Sequence, residues 1–215
     1  ARPQTAELGS LCASVAADYE EALDLSADGA AYTDPETGGH IKRIGAYSRL
    51  LAAELGWPAE RQTMIELAAP LHDVGKIGTP DAVLLKPGKL DADEVVVMKQ
   101  HAEIGHSILS RSNHPVMRCA ANIAWAHHER WDGGGYPAAK GDEIPIEARI
   151  VALADVYDAL RSERPYKPAF DHEKTLSIML DGDGRTMPEH FDPALHAIFR
   201  ANSAAFAEIF GRLAD

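Results

Sequence analysis

Cysteine is nearly absent: Cys12 and Cys119 are the only two in 215 residues. Two are too few for a disulfide framework and agree with a reducing compartment; although they could pair, both read as buried thiols. Long apolar runs are also missing. None approaches the roughly 18 residues that cross a bilayer, and the opening ARPQTAELGSLCASVAA lacks the uninterrupted apolar core of a secretory signal. No membrane partner is therefore expected, and the expected location is cytoplasmic. Positive charge is scarce as well, with 21 Lys and Arg against 33 Asp and Glu and a net charge of −12. A broad surface for DNA or RNA duplexes depends on clustered cations and is excluded. A compact anionic substrate is not, because metal ions and a few placed cations can reverse the field locally. Alternating strand patterns and internal repeats are lacking too.

Helix signals fill the chain instead. Alanine- and leucine-rich segments with apolar residues three to four apart point to an all-α fold, and 46% hydrophobic content suffices for one sizeable core. A first helix is expected over 6–25, with a glycine-containing break at 25–29. The expected organisation is an N-terminal helix and connecting segment over 1–32 and a single domain over 33–215. Asp34 and Pro35 read as N-cap and first residue of a helix reaching about Leu55, which puts Glu36 and His40 on one face. The next helix spans about 59–72, its last turn bent by Pro70. Asp91 with Glu94 forms a capping-box pattern opening a helix that carries His101; His106 lies about 140° further round. Helices are expected over about 115–128 and, after a loop over 130–145, along EARIVALADVYDAL with Asp155. Asp171 and Asp192 with Pro193 should cap the last two helices.

Ten histidines are present. His40, His72, Asp73, His101, His127, His128 and Asp155 fall on five expected helices beside apolar residues that turn them inward. Burying so many titratable groups costs several kcal/mol each unless compensated, and divalent cations are the natural compensation. Nitrogen and carboxylate without thiolate suit iron, manganese or zinc. Seven ligands exceed the needs of one ion, so two ions sharing a bridging carboxylate is the economical arrangement. Glu36 is either an eighth ligand or a first-turn acid favoured by the helix dipole, and Asp158 rivals Asp155 because the two share a face. The DGDGRT segment lacks the later glycine and glutamate of a calcium loop and reads as a turn, and the triple glycine at 133–135 is not a dinucleotide fingerprint. His106, His114, His172, His190 and His196 read as surface or packing residues. In HHERWDGGGYP a rigid helix end meets a flexible glycine-rich loop.

LHDVGKIG, HHERWDGGGYP and RIVALADVYDALRSERPYK, in that order, resemble the motifs of the HD-GYP branch of the HD phosphohydrolases. The likeness extends over about 32–199. It implies an HD-domain helical bundle with additional helices, and a cytoplasmic bacterial enzyme hydrolysing cyclic di-GMP, typically to pGpG and in many members onward to GMP. By the same resemblance His40, His72, Asp73 and Asp155 hold one ion, and His101, His127 and His128 a second, with Asp73 bridging. Glu36 falls where trinuclear members have a further ligand, so two or three ions are implied, iron or manganese. Lys76, Arg164 and Lys167 occupy positions that contact substrate phosphates in similar enzymes. Gly135-Tyr136-Pro137 is the signature loop, bringing Tyr136 to the substrate or to a diguanylate cyclase partner. Two stretches depart from the pattern: EEALDLSADGAAYTDPETGGH and DGDGRTMPEHFDP are both extended, and both bear on substrate access. Family members usually carry a receiver or sensor domain, which is not seen in this sequence.

The implied chemistry is in-line attack on phosphorus by a hydroxide bridging the ions, with Lys76 aimed at a non-bridging oxygen where charge builds. Two other readings stand beside it. The substrate could be another cyclic dinucleotide such as cyclic GMP-AMP, which product chromatography separates. Alternatively, the chain is a non-catalytic module binding a cyclic dinucleotide or a partner, against which the full ligand set speaks.

Overall fold

A computed structural model describes residues 38–163 and 169–213. The described residues form helices α1 (Gly38–Glu54), α2 (Ala59–Ala68), α3 (Asp81–Leu84), α4 (Ala92–Leu109), α5 (Pro115–Ala126), α6 (Ile146–Arg161), α7 (His172–Asp181), α8 (Pro193–Ala201) and α9 (Ser203–Arg212). Short 3-10 turns lie at Ala69–Leu71, Val74–Gly78, Gly141–Glu143 and Pro188–His190. No strand occurs among the described residues, so the expected all-α class is observed. The helix expected over 6–25, the Asp34-Pro35 start, the boundary at 32/33 and Cys12 lie outside the described residues. No described helix is long and apolar enough to cross a membrane.

Helix α1 buries His40, Ile41, Ile44, Tyr47, Ser48 and Leu51, a stripe of three-to-four spacing that faces the core. At Gly45 an added Cβ would stand 2.8 Å from the Glu66 carbonyl oxygen, so the glycine lets α1 and α2 pack backbone to backbone. Tyr47 stacks on Phe206 at 4.7 Å and meets Tyr157 edge to face at 5.4 Å. Phe199 packs on both of those partners. These aromatic contacts join α1, α6, α8 and α9 around one core.

The helix expected over 59–72 stops earlier, at Ala68. Pro70 has no N–H to continue the ladder, and the chain tightens into the 3-10 turn Ala69–Leu71, with His72 N–H on the Ala69 carbonyl at 3.1 Å. Asp73 follows in the sparsely populated bridge region, φ −103° and ψ 8°. The Val74–Gly78 turn then seats on α4 so closely that a Cβ on Gly75 would stand 1.9 Å from the His101 carbonyl oxygen. The paired turns thus fix His72 and Asp73 against the helix that carries His101.

Helix α4 opens with the expected capping box, Asp91 accepting from Glu94 N–H at 2.9 Å and Glu94 accepting from Asp91 N–H at 2.8 Å. Helix α5 starts at Pro115 and ends at Ala126, leaving His127 as its C-cap. Asp171 and Asp192 cap α7 and α8 as expected. They are not the last two helices, however: the backbone breaks at Asn202, φ −114° and ψ 18°, and α9 follows. The DGDGRT segment is a turn, Asp183 accepting from the N–H groups of Arg185 and Thr186, and Cys119 is buried.

Gly75→Ala is expected to destabilise the protein by at least about 1–3 kcal/mol, the usual scale of forced overpacking. Gly211→Ala, in α9 with nothing within 4 Å of the added Cβ, should be neutral or stabilise by up to about 1 kcal/mol. Denaturant melts of both variants beside the parent check the contrast.

Candidate metal centre

Five elements deliver the candidate ligands: α1 presents His40, the turn after Pro70 His72 and Asp73, α4 His101, the end of α5 His127 and His128, and α6 Asp155. The ligand atoms of Asp73, His101, His127 and His128 lie within 4.8 Å of one another, as do those of His40, His72 and Asp155. Asp73 stands between the groups. Its Oδ1 is 3.3 Å from His101 Nε2 and 3.5 Å from His127 Nε2, and its Oδ2 is 3.2 Å from His72 Nε2 and 2.7 Å from Lys76 Nζ. All seven residues and Lys76 are therefore brought together. Glu36, Arg164 and Lys167 lie outside the described residues. At the end of α6, Ser162 N–H bonds to Asp158 O at 2.8 Å and Phe170 N–H to Leu160 O at 3.1 Å.

The rings are set as lone-pair donors. Nδ1 of His72 faces Ala69 O at 3.0 Å, Nδ1 of His101 faces Met98 O at 2.6 Å, and Nδ1 of His127 faces Ile123 O at 3.1 Å. A carbonyl only accepts, so each Nδ1 carries hydrogen and a neutral ring is left with its lone pair on Nε2, toward Asp73. His127 Nε2 and Asp73 Oδ1 are buried without a hydrogen-bond partner among the described residues. Lone pairs facing each other across 3.5 Å repel unless a cation lies between them, so the donor set fits divalent metal. Burial lowers the pKa of His101 and, further, that of His128, keeping both imidazoles neutral and able to bind. Burial alone would raise the pKa of Asp73, but the Lys76 ammonium leads the contacts that reverse this and hold it well below the carboxylate range.

Three apart on α6, Asp155 and Asp158 take different roles. Asp158 is wholly buried, accepts His40 Nδ1–H at 2.8 Å, and is gripped by Arg43 Nε at 2.7 Å and Nη2 at 3.0 Å. Asp155 faces the opposite nitrogen of the same ring, 3.8 Å from His40 Nε2. Arg43, 2% exposed, also donates to the Leu213 carbonyl at 3.0 Å and so ties the chain end to the site. Sequence reasoning missed this residue, although a cation one turn beyond His40 on the buried face of α1 is itself a signal.

The loop expected to be flexible is pinned. Buried Glu129 accepts from the N–H groups of Ala138 and Ala139, the latter at 2.6 Å, Asp132 accepts from Gly134 N–H at 2.9 Å, and Tyr136 N–H reaches His128 O at 3.2 Å. A Cβ on Gly135 would stand 2.4 Å from that same His128 oxygen, so only glycine allows the approach. Tyr136 consequently lies against His128, ring to ring at 4.8 Å. The remaining histidines pack or cap: His106 on Trp125, His114 at the start of α5, His172 on the Tyr157 hydroxyl, His190 on Met187 N–H and His196 on the Met179 carbonyl.

Residues 24–195 match the HD domain family. A cyclic di-GMP phosphodiesterase of Vibrio cholerae is 46% identical over 196 residues, covering 85% of this chain and 39% of that protein. A 3'3'-cGAMP-specific phosphodiesterase of the same organism is 44% identical over 181 residues, covering 84% of this chain and 34% of that protein. The chain spans well under half the length of either relative. An HDG"Y"P protein from Bdellovibrio bacteriovorus superposes with a TM-score of 0.54 at 22% identity, over 75% of this chain and 51% of that one, which shows a shared fold.

Asp158→Asn leaves Arg43 buried beside a neutral amide, and the expected cost is about 3–5 kcal/mol of stability. The same change weakens the hold of His40 on metal, by about 10–100-fold on the usual scale for such supporting bonds. His106→Ala should alter neither quantity. Melting curves and metal titration of the two variants decide this.

Proposed function

The chain belongs to the HD domain family, its sequence relatives being consistent with the HD-GYP branch, and on that premise we propose a metal-dependent phosphodiesterase that opens cyclic di-GMP to pGpG, with GMP as the product should it cut twice. The observation that carries the proposal is the position of Asp73 between two groups of inward lone pairs. We assign His40, His72, Asp73 and Asp155 to one divalent ion and His101, His127 and His128 to a second, with Asp73 shared; iron and manganese suit this nitrogen and carboxylate set. Bound there, such ions lower the pKa of water toward neutrality and offset charge on phosphoryl oxygens.

The chain's own groups do the rest. Backbone carbonyls and Asp158 hold the imidazoles with Nε2 turned inward. Lys76, only 15% exposed and 2.7 Å from Asp73, keeps an ammonium at the edge of the centre, where a non-bridging phosphoryl oxygen gains charge. Arg164 and Lys167 are proposed for the second phosphate, since a fork and a point charge together suit two anionic groups. In a protein of net charge −12 such placed cations supply the attraction for a doubly anionic dinucleotide. Glu36 is the proposed further ligand should a third ion bind.

Cyclic GMP-AMP is the second reading, favoured by the 44% identical relative specific for it. Incubation of the metal-loaded protein with each cyclic dinucleotide, followed by chromatography, tests both. Faster opening of cyclic di-GMP is expected; the reverse order moves the substrate to cyclic GMP-AMP, and no turnover of either with metal bound leaves a binding module. Lys76→Ala should retain its metal, because removing a neighbouring cation does not weaken the hold on another, yet lose roughly 10²- to 10³-fold in turnover. Unimpaired turnover removes the lysine from the mechanism.

A further inference from the structure

Four of the five candidate histidine ligands have their ring orientation set by a hydrogen bond at Nδ1. His128 is the exception: no hydrogen bond to its Nδ1 occurs among the described residues, and its only polar ring contact is Nε2 at 3.1 Å from His101 Nε2, within the cluster itself. A ring so placed can swing about its χ angles unless packing stops it. Two neighbouring ligand rings touch it, His127 tilted at 4.0 Å and His101 edge-on at 5.0 Å, but the only stacked ring contact given for it among the described residues is with Tyr136, centroids 4.8 Å apart and planes 27° from parallel; Tyr136 also meets His101 edge-on at 6.5 Å.

The tyrosine is itself held. Its N–H bonds to the His128 carbonyl, Gly135 permits that approach where any Cβ would collide, and buried Glu129 fastens the two residues after Pro137. Lys99 Nζ stands 4.7 Å from the Tyr136 ring centroid, a cation–π contact that further restrains the ring. The glycine-rich loop therefore delivers a flat aromatic surface to the one candidate histidine ligand that, among the described residues, lacks a hydrogen bond at Nδ1.

We propose that Tyr136 is a positioning residue for the second metal group: its ring, not its hydroxyl, sets the plane of His128 so that Nε2 converges with His101, His127 and Asp73. The proposal rests on the metal-centre reading and is independent of the substrate. It also explains why the loop begins within two residues of the ligand it supports, since a short tether keeps the stack in register.

Titration of the metal-stripped protein with Mn²⁺, without substrate, tests it in Tyr136→Phe, Tyr136→Leu and Tyr136→Ala, alongside melting curves of the metal-free forms. Two Mn²⁺ per wild-type chain are expected. Tyr136→Phe should keep both dissociation constants. Tyr136→Leu and Tyr136→Ala should weaken one of them by about 10–100-fold, the scale for losing a ligand's outer support, while the metal-free melting temperatures stay close to wild type. Wild-type constants in the Leu and Ala variants overturn the proposal, as does an equal loss in Tyr136→Phe, which would put the role on the hydroxyl. Loss of binding matched by melting of the metal-free Leu and Ala forms also overturns it, by assigning Tyr136 to the fold. A wild-type chain that binds fewer than two Mn²⁺ refutes the metal-centre reading itself.

Discussion

Lone pairs that converge inside a helical bundle must be reconciled with one another, and Asp73 is where this protein meets that demand. Its two oxygens face four partners, three imidazole nitrogens and one ammonium, within 3.5 Å. Those partners come from the two turns that follow α2, from α4 and from the end of α5, so one carboxylate answers groups delivered by four segments. Without it, burial would set them against one another. The fold around it can be read as the means of holding neutral imidazoles in a fixed tautomer with their donor atoms inward.

That holding is local at some positions and long-range at others. His72, His101 and His127 each use a carbonyl three or four residues back in their own turn, so the helix or 3-10 turn that carries the ring also orients it. His40 instead uses Asp158, 118 residues away, and Asp158 is kept in place by Arg43 from the same helix as His40. The pair thus locks α1 to α6, and through the Leu213 carbonyl it reaches the end of α9. The aromatic cluster of Tyr47, Tyr157, Phe199 and Phe206 packs on these same helices, so the core and the polar network reinforce one crossing.

The glycine-rich loop belongs to this rigid frame. Its glycines serve close approach, most plainly at Gly135, and carboxylates of Glu129 and Asp132 consume the backbone N–H groups that an open lid would leave to solvent. A loop held this way can act on a neighbouring ring, which loose chain cannot.

The sequence by itself determined whatever depends on short-range physics. The all-α class follows from apolar spacing, the start of α4 from the Asp91 and Glu94 box, the starts of α7 and α8 from Asp171 and Asp192, and the turn at DGDGRT from its lack of the later calcium-loop residues. The candidate ligands were legible too, because the type and order of His72-Asp73 and His127-His128 are local motifs. Tertiary structure decided the rest. Whether Asp155 or Asp158 faces His40 Nε2 depends on the rotation of α6 against α1, and both acids fit the same helical period. Arg43 became meaningful only when its partner arrived from 115 residues away. The stack of Tyr136 on His128, with Lys99 of α4 beside its ring, was likewise decided by tertiary packing, because local propensity leaves several loop conformations nearly equal in energy.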